Sequence, residues 1–133
     1  MTPTQPPALI PICLVDDDIS VLTAIERLLA SAGWTVRAFN EAAAFLAYAA
    51  TNRVDLVILD IWMKQISGLE VLAHLCSVSP QTRVVIITGR DDFAVRSIAS
   101  QVGAAGFFLK PFDDEEFLAA VHRVLAGYET KVQ

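Results

Sequence analysis

A chain of 133 residues has room for one domain of ordinary size, and 54% hydrophobic against 19% charged residues excludes a disordered segment. Ten basic against 15 acidic residues, net −5, leave out the basic footprint of a nucleic-acid or anionic-lipid binder. No apolar run approaches the roughly 20 residues that span a bilayer.

Taken in order, residues 1–9 carry Pro3, Pro6 and Pro7 without a basic residue and read as a flexible leader, unlike a signal or transit peptide. Residues 10–15 form the first apolar run. A helix over 19–32 places Val21, Ile25, Leu28, Leu29 and Ala32 at helical spacing and stops at Gly33. A short strand at 35–39 precedes a helix that Asn40 would cap, running to about residue 50. The second long apolar run is 54–59. The next helix starts near Gly68, with Leu69, Leu72, Leu75 and Cys76 as its buried face and Pro80 beyond its end. Residues 84–87 give a fourth strand, then a helix over 92–102 that would bury Phe93, Ile98 and Val102 before Gly103. The fifth strand is 106–109. The last helix opens at Asp113, with Glu116 three residues on as in a capping box, buries Phe117, Val121, Val124 and Leu125, and ends at Gly127. The expected organisation is one domain over 10–127 and a short tail, 128–133, with no output domain. Cys13 and Cys76 lie in apolar stretches without metal-ligand spacing and read as two buried thiols in a reducing, cytoplasmic compartment.

Strands that are apolar throughout, rather than alternating, are covered on both faces, as in a parallel sheet flanked by helices. Strict alternation of strand and helix suggests a doubly wound α/β sheet, Rossmann-like or flavodoxin-like, and both place ligands at the carboxyl ends of the strands. The polar residues fall there. The first strand ends in Asp16, Asp17 and Asp18, the third in Asp60, the fourth in Thr88 and the fifth in Lys110. Carboxylates gathered so closely repel one another, and a hard divalent cation relieves the repulsion. Mg²⁺ takes oxygen ligands and commonly shares them with a phosphate. A lysine and a hydroxyl opposite would hold further phosphate oxygens, leaving Asp60 as a carboxylate nucleophile toward a phosphoryl group.

The segments Leu14-Val15-Asp16-Asp17-Asp18, Val57-Ile58-Leu59-Asp60, Ile86-Ile87-Thr88-Gly89 and Phe107-Phe108-Leu109-Lys110-Pro111-Phe112 occur in this order. Together they resemble the receiver domain of bacterial two-component response regulators over about residues 10–126. The resemblance implies a flavodoxin-like sheet of order 2-1-3-4-5, with Asp60 as the phosphoacceptor. It implies Mg²⁺ held by Asp17 directly, by Asp16 mainly through water, by Asp60 and by the backbone carbonyl of Trp62. Lys110 would pair with the phosphoryl group, Thr88 would be the switch hydroxyl and Phe107 the switch aromatic. Gly89 would leave room for the phosphoryl group, and the Lys110-Pro111 bond would be cis. The implied partners are a sensor histidine kinase or phosphotransfer protein, and a downstream protein or second copy at the face of the fourth helix, fifth strand and fifth helix. The domain would be a signalling switch rather than an enzyme, without direct contact to nucleic acid or membrane.

The chain departs from the family pattern where proline usually follows Met63. It has Lys64-Gln65, which implies a more mobile loop. Trp62 and Arg90, two residues beyond Asp60 and Thr88, are bulky at positions that influence water access in the family. Asp18 reads as a helix N-cap or a member of the acidic run, and Phe107 as a switch or a core residue. His74 and His122 lie on helices outside the cluster. One alternative is a haloacid dehalogenase-type phosphatase, which needs a second aspartate where Trp62 stands. Another is a receiver-like interaction module without phosphotransfer. A flavodoxin-like cofactor binder would need a phosphate loop after the first strand, and none is present.

Overall fold

The computed structural model describes residues 10–64 and 66–132, so the leader read at 1–9 lies outside the described residues. The elements run β1 (Ile12–Val15), α1 (Ile19–Ser31), β2 (Val36–Phe39), α2 (Ala42–Thr51), β3 (Leu56–Asp60), α3 (Gly68–Val78), β4 (Arg83–Thr88), α4 (Phe93–Gln101), β5 (Gly106–Leu109) and α5 (Asp114–Val132). The five strands form one parallel sheet in the order β2-β1-β3-β4-β5, the flavodoxin-like arrangement. Among the described residues no helix is long and apolar enough to cross a membrane.

The apolar strands alternate between two cores. Ile12, Leu14, Leu56, Ile58, Val85 and Ile87 face α1 and α5, meeting Leu22, Ile25, Leu29, Phe117, Val121 and Val124. Cys13, Val15, Val57, Leu59 and Ile86 face the other side, packing with Phe45 of α2, Val71, Leu72 and Leu75 of α3, and Val95 and Ala99 of α4. Every residue of β1 and β3 is buried. Burial pushes the Cys13 thiol up to about 12, with the Arg37 charge opposing.

Local chemistry sets the helix ends. Asp18 caps α1 by accepting from the Ser20 and Val21 N–H groups, and Asp92 caps α4 through Ala94 and Val95. Gly33 and Gly103 follow their helices with φ of +96° and +80°, the left-handed conformation that favours glycine.

Four expectations need correction. The cap of α2 is Glu41, not Asn40, and its side chain makes no capping bond. Cys76 is exposed, because Val71, Leu72 and Leu75 form the buried stripe of α3. On α4 the core takes Val95 and Ala99, one helical turn apart, while Phe93, Ile98 and Val102 are exposed at 85%, 39% and 41%. Finally, α5 continues through Gly127 to Val132; one glycine costs a helix only about 1 kcal/mol relative to alanine.

Candidate functional site

The strand order reverses between β1 and β3, and the crevice at that switch point is where such folds bind ligands. The register sets Val15 beside Leu59, so the residues that follow, Asp16 and Asp60, emerge together at the carboxyl edge. Thr88 ends β4 and Lys110 follows β5 at the same edge.

Ligand oxygens of Asp16, Asp17 and Asp60 can lie within 4.8 Å of one another. Asp16 is fully buried, Asp60 is 4% exposed and Asp17 is half-buried. The Lys110 Nζ donates to Asp16 Oδ2 at 2.7 Å and lies 3.7 Å from Asp60 Oδ1. Backbone N–H groups complete the support. Asp18 donates to Asp16 Oδ1 at 2.9 Å, Trp62 to Asp60 Oδ1 at 3.4 Å, and Lys64 to Asp17 Oδ2 at 3.0 Å. Burial above all, then the Asp16 charge, lifts the Asp60 carboxyl to about 6, against the pull of Lys110 and the Trp62 N–H. One ammonium against three carboxylates leaves the pocket short of positive charge. An all-oxygen donor set in that condition fits a hard cation such as Mg²⁺.

Around this pocket the two neighbouring loops are tied. Thr88 Oγ1 is buried, donates to the Arg90 carbonyl at 3.2 Å and accepts the Arg90 N–H at 3.1 Å. The Arg90 guanidinium lies 4.3 Å from the centroid of the Trp62 ring, bridging the β4–α4 and β3–α3 loops. Gly89 is exposed, and a Cβ there would meet no atom within 4 Å. Phe107 is half-buried against the α2–α4 side of the core, and the Arg96 guanidinium covers its ring at 4.5 Å. The Lys110-Pro111 peptide bond is cis.

The structure thus brings Asp16, Asp17, Asp60 and Lys110 together, with Thr88, Gly89 and Trp62 beside them, and sets Phe107 further along β5. Gln65 lies outside the described residues. Sequence reasoning missed Gly68, which was read only as a helix start. A Cβ there would sit 2.5 Å from the Asp60 carbonyl oxygen and 2.7 Å from Ile61 Cα, so only glycine lets α3 close against the end of β3. The Gly68 N–H donates to the Ile61 carbonyl at 2.9 Å. Nothing local in the sequence announces this contact. Arg96 was likewise not connected to Phe107, because the pairing runs between two elements.

Fold and pocket together define a class: a flavodoxin-like domain whose switch point carries clustered aspartates closed by a lysine just after the last strand. The response regulator receiver domain model matches residues 12–122. The chain is 37% identical over 114 residues to the response regulator protein TmoT of Ectopseudomonas mendocina, a match covering 86% of this chain and 52% of that protein. It is 35% identical over 120 residues to the DNA-binding transcriptional regulator NtrC of Escherichia coli K12, covering 90% of this chain and 26% of that protein. The fold matches that of a CheY-like receiver domain protein from Methanospirillum hungatei JF-1 with a TM-score of 0.87 at 23% identity, over 93% of this chain and 99% of that one. The chain belongs to the response regulator receiver domain family, the signalling domain of two-component systems, for which phosphorylation and Mg²⁺ are standard. It spans about half the length of TmoT and about a quarter of NtrC.

Proposed function

We propose that this domain, residues 10–127, is a phosphorylation switch in which Asp60 accepts a phosphoryl group from a sensor histidine kinase, a phosphotransfer protein or a small phosphodonor. The observation that carries the reading is the convergence of Asp16, Asp17 and Asp60 on one point, with Lys110 closing the pocket. Asp16, Asp17, Asp60 and the Trp62 carbonyl would hold Mg²⁺, which supplies charge neutralisation for the transferring phosphoryl oxygens.

A carboxylate oxygen of Asp60 attacks phosphorus, the bond from phosphorus to the donor nitrogen or oxygen breaks, and its electron pair leaves with the donor. Asp60 ends β3, which is buried along its whole length. The Trp62 N–H orients one Asp60 oxygen, leaving the other to react. Lys110, held at the pocket by Asp16, is placed to take a phosphoryl oxygen. Gly89 leaves the approach open.

The product carries roughly two negative charges and new acceptor oxygens. Thr88 can turn its hydroxyl toward them only by releasing the Arg90 backbone, which frees the β4–α4 loop. Phe107 then turns inward under α4. The α4–β5–α5 face is the surface read by a downstream protein or a second copy. Direct nucleic-acid and membrane contacts have no place in this domain, and its setting is cytoplasmic. The phosphatase alternative lacks a carboxylate at Trp62 to act as general acid.

Incubation with acetyl phosphate and Mg²⁺ should add one phosphate to the intact mass, and Asp60→Asn should abolish the gain. Full labelling of that variant would overturn the assignment.

A further inference from the structure

Two of the three aspartates are themselves buried. Asp16 accepts from Lys110 and from the Asp18 N–H, and Asp60 sits at the end of a buried strand with the Trp62 N–H on its oxygen. Asp17 differs. It is half-buried on a loop, and among the described residues the hydrogen bond on its carboxylate is the one from the Lys64 N–H to Oδ2, at 3.0 Å and across 47 positions of sequence. The Lys64 side chain is exposed, so its backbone is what reaches the site.

We propose that the Lys64 backbone amide is the positioning group for Asp17, holding the carboxylate so that its other oxygen, Oδ1, faces a divalent cation. The inference rests on the reading of this pocket as a Mg²⁺ site. A carboxylate free to rotate must lose that freedom when it binds, whereas one already fixed by a donor presents its oxygen at once. Outer hydrogen bonds of this kind typically change metal affinity 10–100-fold. The bond also ties the β3–α3 loop to the β1–α1 loop. Proline, the usual family residue here, has no N–H and could not make the bond. Lysine at this position therefore adds a restraint on the cation ligand that its charge does not explain.

The test separates main chain from side chain by titrating MgCl₂ calorimetrically into the wild-type chain, Lys64→Ala, Lys64→Pro and Asp17→Ala. Lys64→Ala keeps the N–H and should bind within about twofold of wild type. Lys64→Pro should bind about tenfold more weakly. Equal affinities for the two Lys64 variants, whether both strong or both weak, would overturn the proposal. Absence of Mg²⁺ binding by the wild type, or undiminished binding by Asp17→Ala, would instead overturn the cation-site reading and the proposal with it. Circular dichroism checks folding. Should Lys64→Pro not fold, the Lys64 amide proton decides by nuclear magnetic resonance. It should move upfield and exchange about tenfold faster in Asp17→Ala than in wild type; an unmoved resonance would overturn the proposal.

Discussion

The middle of the sheet and its β5 side are built to different standards. Every residue of β1 and β3 is buried, whereas every residue of β5 is only partly so. Beside β5, α4 buries only Val95 and Ala99 and leaves Phe93 85% exposed. A charged, ligand-binding edge needs a floor that does not move, because carboxylates near one another are held in place against repulsion. A face that must change on a signal needs the opposite: few buried contacts and alternatives of similar energy. In this chain Asp16 and Asp60 stand on the first kind of structure, and Phe107 and α4 on the second.

Removing core volume from the centre should have the largest effect. Leu59→Ala, at a fully buried position, should lower stability by about 2–5 kcal/mol in urea unfolding. Phe93→Ala, an equally drastic deletion on exposed α4, should stay within about 0.5 kcal/mol. Similar losses at both would erase the contrast. The glycines sharpen it without removing anything. Gly68→Ala forces a methyl group against the backbone of Asp60 and Ile61, at a cost of about 1–3 kcal/mol. At Gly89, where the added methyl meets nothing, alanine should leave the unfolding midpoint nearly unchanged.

The Asp60 carboxyl itself strains the rigid centre. The Asp60 carboxyl is raised from its usual 3.8 to about 6, chiefly by burial and then by Asp16. A raised folded-state value means that protonation favours the fold. The contribution is fully present below about pH 4 and is lost as pH rises through about 6. In buffer free of divalent cations, Asp60→Asn should therefore be the more stable protein at pH 7.5, by about 2–3 kcal/mol, and should lose that advantage below about pH 4. A constant difference across the range would show that burial of Asp60 is not the source.

What was legible in the sequence follows the same division. Residues 54–59, apolar but for Asp55, announced a central strand because a run with no alternation has no solvent face, and Asp16, Asp17, Asp60, Thr88 and Lys110 were visible because each stands at the end of such a run. The strand register then brings them together. On α4 the sequence pattern suggests Phe93, Ile98 and Val102 as the core face, yet the packed stripe is Val95 and Ala99. Apolar residues lie on several sides of that helix, so spacing alone did not say which side faces the sheet. Cys76 was misplaced for a similar reason. Gly68 and the Lys64 N–H act on residues brought near only by folding, and no local pattern encodes either.

A small effect is also expected where α4 meets β5. The Arg96 guanidinium covers the Phe107 ring at 4.5 Å and donates to Asp91 at 3.4 Å, so one exposed side chain joins the β4–α4 loop, α4 and the aromatic of β5. A cation on a half-exposed ring contributes about 0.5–1 kcal/mol. A double-mutant cycle of Arg96→Ala and Phe107→Leu should return a coupling energy of that size, measured by urea unfolding without phosphodonor. So weak a tie can hold Phe107 in one arrangement and still yield to a phosphoryl group at Asp60. If the coupling is lost when beryllofluoride and Mg²⁺ are added, the contact belongs to the resting arrangement, and the loosely packed side moves while the centre stays. A coupling of several kilocalories, or one unchanged by beryllofluoride, would mean that Arg96 locks β5 to α4 and that this side is no more mobile than the strands beside it.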